Sequence, residues 1–98
     1  LWMAQRNKLT DPFENAVKLG PDINQKSVRC IYPSLSANGL WLTFVRTPSI
    51  TSSMGYIARR GDFTENFAHV QPLGPAINAL GYMNGIAVSD DGLTIVCV

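Results

Sequence analysis

Leu19-Gly20-Pro21-Asp22-Ile23-Asn24 returns 54 positions later as Leu73-Gly74-Pro75-Ala76-Ile77-Asn78. The match extends towards the start of each copy. Ala4, Arg6, Thr10 and Phe13 recur as Ala58, Arg60, Thr64 and Phe67, so nine of the 24 pairs between 1–24 and 55–78 are identical. A second word, Ser36-Ala37-Asn38-Gly39-Leu40, returns 53 positions later as Ser89-Asp90-Asp91-Gly92-Leu93. Duplication at this spacing marks a repeat architecture, in which each unit buries its apolar faces against its neighbours.

The turn words show what the unit is made of. Asn38-Gly39 and Asp91-Gly92 are hairpin signals, because both positions tolerate positive φ and suit the twist of paired strands. The strand after each turn is apolar on both faces. Leu40, Leu42 and Phe44 alternate with Trp41, Thr43 and Val45; Leu93, Ile95 and Cys97 alternate with Thr94, Val96 and Val98. A half-exposed strand would alternate with polar residues, so this pattern predicts a sheet covered from both sides. A Thr/Ser-rich loop is expected from Thr47 to Ser53, with Pro48 breaking the strand. A third strand follows at Gly55–Arg60, matching Leu1–Arg6. The fourth, Phe67–Leu73 and Phe13–Leu19, is more polar and fits an outer edge, where Pro72 costs no ladder bond. A helix over Asn15–Leu19 is the competing reading; Val70 and Pro72 in the matching segment argue against it.

The expected fold class is therefore all-β: a fragment of a β-propeller built of four-stranded antiparallel blades, from a ring of about six. Labelled a to d from channel to rim, strands c and d of one blade fall in 1–19, a complete blade in 31–73, and strands a and b of the next in 85–98. With 98 residues for a unit of 54, the sequence reads as an excerpt of a longer array. Completion by other copies of the chain is the alternative.

Composition narrows the function. A net charge of +1 gives no global field for nucleic acid, and no apolar run approaches the ~18 residues that span a bilayer. No signal-peptide pattern precedes the first strand. The two cysteines, Cys30 and Cys97, lack metal-ligand spacing. Cys97 stands at the repeat position of Phe44 and reads as a small hydrophobe; a disulfide between the two stays open. No cofactor or metal is implied. Asp90-Asp91 on a tight turn does not gather a calcium shell, and His69, the single histidine, aligns with Asn15 on the polar strand.

Several words resemble a known family. Pro33-Ser34-Leu35-Ser36-Ala37-Asn38-Gly39-Leu40, the following strand to Arg46, and Leu1–Arg6 with Asp11-Pro12-Phe13 and Leu19-Gly20-Pro21 resemble the TolB-like, WD-repeat-like β-propeller repeat of bacterial envelope and secreted proteins. Asn38 stands where that family usually has Asp, and Ala87-Val88-Ser89 lacks the preceding Pro. The resemblance implies a propeller scaffold and a periplasmic, cell-envelope or secreted location. It implies no activity, because propellers host many.

No catalytic constellation appears. Asp11, Glu14, Asp22, Asp62 and Glu65 fall on turns, loops or the outer strand, and no inward-facing carboxylate pair emerges. The first reading is a non-catalytic scaffold that binds protein or glycan on the long-loop face, formed by Gly20–Cys30 and Thr47–Ser53. There Lys26, Arg29 and Arg46 are the candidates to hold a carboxylate or an acidic or sulfated sugar. The alternative is a piece of a glycoside hydrolase or peptidase whose catalytic residues lie outside this chain. Arg6 and Arg60 are read as bonding to their own c–d turns, Asn24 and Asn78 as closing loops by side-chain-to-backbone bonds, and Trp2, Trp41 and Tyr56 as core.

Overall fold

The computed structural model describes residues 1–98. The chain is all-β, with eight strands in three antiparallel sheets. β1 (Trp2–Gln5) pairs with β2 (Glu14–Lys18). β3 (Arg29–Leu35), β4 (Trp41–Ser49), β5 (Ser52–Arg59) and β6 (Ala68–Pro72) form a four-stranded sheet in that order. β7 (Ile86–Val88) pairs with β8 (Ile95–Cys97). The competing helix over Asn15–Leu19 does not form. The sole helix is one turn, α1 (Pro75–Asn78), opened by Pro75, whose missing N–H would be unpaired there anyway.

β4 is the centre of the molecule, and its alternation explains why. Leu42 and Phe44 join Ile23, Ala58 and Phe67 in one core, with Leu1 and Met3 of the β1–β2 side packed against it. On the opposite face Val45 joins Met83 and Ile86, with Ile95 and Cys97 of β8 beside them. The sheet is thus covered on both faces, as its doubly apolar strand requires. Phe44 and Val45 are fully buried, each stabilising the fold by about 1.5–3 kcal/mol relative to exposure. Cys30 and Cys97 are free thiols on opposite faces of this arrangement.

Each hairpin turn is held by the same bonds. The Ser36 hydroxyl donates to Asn38 Oδ1 (2.7 Å) and accepts from Trp41 N–H (3.1 Å), while Asn38 Oδ1 accepts from Leu40 N–H. In the later turn Ser89, Asp91, Thr94 and Leu93 make the same set, at 2.6, 3.0 and 3.0 Å. Gly39 and Gly92 both sit at φ 72°, a region that costs an L-residue roughly 1–2 kcal/mol.

Bulges recur as well. Asn15 and His69, repeat partners, both have φ 52°, and each lies where the outer strand carries one residue more than its neighbour. Asn and His are among the side chains that tolerate this conformation. A bulge also corrects one expectation. Thr47–Ser53 is not a loop: β4 runs on to Ser49, which pairs with Ser52 across a two-residue turn, Ile50-Thr51. The extra residue on β4 falls between Arg46 and Ser49, so Pro48 sits where the ladder is already interrupted and its missing N–H removes no bond.

Candidate functional site

The end of the sheet where β3 begins and β4 ends carries a surface cleft of about 380 Å³. Arg29 and Ile31 of β3, Thr47 and Ser49 of β4, Ile50 of the turn and Tyr82 of the β6–β7 connection line it, with Tyr32. The volume lies at the small end of ligand sites, roughly 300–1,000 Å³. Pairing of Arg29 with Thr47 sets both on one face of the sheet. The bulge between Ile31 and Ser34 and the positive φ of Tyr32 turn that ring to the surface, where it is 43% exposed. The Tyr82 hydroxyl donates to Ile50 O (2.8 Å), fixing the turn beneath the cleft. The result is one exposed guanidinium, two phenol rings and two hydroxyls around a common concavity.

Of the three cations singled out from the sequence, only Arg29 lines this cleft. Lys26 stands exposed in the turn before β3, where Val28 N–H bonds to Gln25 O. Arg46 is 6% exposed and pairs with Cys30, one step from Arg29 along the ladder, so its side chain leaves the opposite face. There it spans from the sheet to the β2–β3 loop. Nη2 donates to Asp22 O and to Ile23 O, and the guanidinium lies 4.4 Å from the Tyr56 ring centroid and 5.3 Å from that of Phe44. Its Nε is buried without a hydrogen-bond partner, and the two aromatic faces offset part of that cost. Arg46 and Arg29 therefore do not converge on one ligand position.

The repeated polar residues hold backbone. Asn24 Nδ2 donates to Leu1 O (2.8 Å) and Leu19 O (2.7 Å), while its Oδ1 accepts from Leu1 N. Asn78, its partner 54 positions on, clips Gly55 by the same two atoms, at 2.7 and 3.3 Å. Arg6 lies 4.6 Å from the Phe13 ring centroid and bonds to Asp11 O; Arg60 lies 4.5 Å from that of Phe67 and bonds to Phe63 O. Arg60 also donates Nε–H to Gly39 O (2.9 Å), tying the β5 end to the neighbouring turn. Burial lowers the Arg60 pKa, partly countered by nearby Asp62.

The acidic residues are occupied locally. Asp62 accepts from the Thr64 hydroxyl and amide and from Glu65 N–H, which hold its pKa below the ordinary value. Asp90 and Asp91 diverge: Asp91 caps its own turn, whereas Asp90 Oδ1 accepts from Asn38 N–H (2.8 Å) of the preceding repeat. The Asp90 carbonyl also receives Trp41 Nε1–H (3.1 Å). His69 is exposed at its bulge.

The cleft lining beyond Arg29 was not visible in the sequence. Tyr32 reads as a strand residue and Tyr82 as one loop aromatic, and nothing in the spacing joins them to Ile50. The nearest signal is negative: Tyr82 has no aromatic counterpart at Val28, so the repeat does not explain it. Compared with known proteins, the chain matches no family model, no curated protein and no solved structure.

Proposed function

We propose that the chain is a segment of a β-propeller, its three sheets belonging to successive blades, and that it acts as a non-catalytic binding scaffold. What supports the blade reading is the recurrence of bonds: the turn set, the two-atom Asn clip on the start of the matching strand and the Arg–Phe stack all recur at the repeat spacing, while β4 is packed from both faces. The observation that carries the binding role is the cleft, where Arg29 is exposed between Tyr32 and Tyr82. Phenol rings offer flat apolar faces to sugar rings, and a guanidinium pairs two-pronged with a carboxylate or sulfate. An acidic oligosaccharide is the ligand class that uses both. The envelope or secreted setting rests on the resemblance to TolB-like repeats alone.

Titration calorimetry with oligogalacturonate and chondroitin sulfate, against neutral dextran as control, tests the binding role. Binding of an acidic glycan, abolished by Arg29→Ala with the thermal midpoint unchanged and weakened about tenfold by Tyr82→Ala, is the expected result. No binding of either acidic glycan, or binding indifferent to Arg29→Ala, overturns it.

A further inference from the structure

The Arg29 cleft lies at the start of β5. At the other end of that strand, roughly 20 Å away, a polar hollow of about 290 Å³ opens between β5 and β6. Arg59, Glu65, Asn66 and His69 line it, and Ala68 is its one apolar residue. The first repeat has the same hollow between β1 and β2, about 300 Å³, with Gln5, Asp11, Pro12, Glu14 and Asn15 at the matching positions. Equal size over unlike side chains means that the shared bulge makes the hollow. His69 and Asn15 both sit at φ 52°, beside the pairs Arg59–Ala68 and Gln5–Glu14. The side chains then set its charge. Arg59 replaces Gln5 and Ala68 replaces Glu14, so the hollow of the four-stranded sheet gains a cation and loses a carboxylate. Meanwhile Arg60, Thr64 and Phe67, which hold the turn itself, match Arg6, Thr10 and Phe13.

We propose that this hollow binds a small sugar phosphate. Arg59 and His69 are exposed, and the residue opposite Arg59 in the ladder is Ala68, which offers its guanidinium no acceptor. Arg60 also borders the hollow. Its Nε and Nη1 are already given to Gly39 O and Phe63 O, so it adds a fixed positive charge. Glu65 is held against the turn, where its Oε2 accepts from Gly61 N–H (2.8 Å), and the lining stays net positive. A guanidinium, an imidazole and the Asn66 amide are three separate donor groups around one concavity. A phosphate monoester has three terminal oxygens to take them; a carboxylate has two and is satisfied by the guanidinium alone. The group esterified to that phosphate must be polar, since only Ala68 offers it an apolar surface, and Glu65 Oε1 is placed to accept from its hydroxyls. A volume at the low end of ligand sites, roughly 300–1,000 Å³, fits one sugar and not a chain of them. The hollow shares no residue with the Arg29 cleft, so this inference is independent of any ligand there.

Amide shifts in heteronuclear NMR spectra of the full 98-residue chain test the site, with glucose 6-phosphate as the probe. Saturable shifts at Gly61, Asn66 and His69 are expected, absent with glucose and with sodium chloride at equal ionic strength. Arg59→Gln, which installs the first repeat's residue at an exposed position, should weaken binding about tenfold or more with the thermal midpoint unchanged, because a charged donor is lost. Ala68→Glu, which restores the first repeat's carboxylate, should abolish it. Arg29→Ala should leave it unchanged. Inorganic phosphate should bind more weakly, since it brings no sugar hydroxyl to Glu65. Failure to saturate, equal shifts from sodium chloride, or binding indifferent to Arg59→Gln overturns the proposal. Equal affinity for inorganic phosphate overturns the sugar.

Discussion

β5–β6 and β1–β2 are written in the same words yet sit in different surroundings. Both have a bulge at the same place, both stack an arginine on a phenylalanine, and both are clipped by an asparagine. Burial separates them. Phe67 is 6% exposed and Phe13 62%; Arg60 is buried and Arg6 is not. The geometry common to both must come from local sequence, since it forms with and without neighbours. The stabilisation comes from β3 and β4, which only β5–β6 has alongside. Local bonds choose a shape; removal of apolar area from water supplies most of its free energy.

The comparison is open to direct attack. Phe44→Ala should cost about 3–5 kcal/mol in urea unfolding, because a fully buried ring leaves a cavity between two packed faces. Its counterpart change, Cys97→Ala on β8, should cost about 1 kcal/mol or less. Equal losses would mean that the terminal sheet is as well supported as the central one.

Arg60→Met should destabilise by about 1.5–3 kcal/mol, since a charged donor is removed from Gly39 O and Phe63 O in a buried place. Arg6→Met, on the exposed equivalent, should stay within about 0.5 kcal/mol. A similar loss at both positions would show that the arginine acts through its own turn and not through the neighbouring strand.

Gly39→Ala should cost about 1–2 kcal/mol for the positive φ, with the ring of Phe63, 2.9 Å from the new Cβ, swinging aside. Gly92→Ala carries the same backbone penalty but drives a methyl into the Trp41 indole. In a Trp2→Phe background, Trp41 emission should shift to the red for Gly92→Ala and hold for Gly39→Ala. An unmoved spectrum in both would break the link between successive turns.

The smallest effect distinguishes the turns by pH. The Ser89 hydroxyl and then the Leu93 amide hold the Asp91 carboxyl below its ordinary value. A group with a lowered folded pKa stabilises fully above its unfolded value, about 3.9, and loses that contribution as pH falls through the folded value. Asn38 does not titrate. Hydrogen exchange at the Leu93 amide should therefore lose protection on acidification while the Leu40 amide keeps it. Asp91→Asn should make the two alike; if the difference persists, the carboxylate is not its cause.

Strands, turns and the doubly covered β4 were legible because each has a local signature: the Asn-Gly and Asp-Gly words, and the apolar alternation from Leu40 to Val45. The run of β4 past Pro48 was not, since a bulge is visible only once β5 fixes which residues pair. Nor was the fate of Arg46. From sequence it is a cation of the long-loop face like Arg29, and one step of pleat sends it under the β2–β3 loop instead. The bridge from Asp90 to Asn38 likewise joins residues that share a place only after two sheets have stacked.

The repeat, the all-β class, the hairpin turns and the residues that clip strand to loop are written in the order of the residues, because each depends on groups a few bonds or one strand apart. Packing between the sheets settled which arginine is buried and which aromatics meet Arg29 at one cleft. Those depend on what packs above and below each strand, and solvent exclusion is a property of the assembled sheets, not of any stretch of chain.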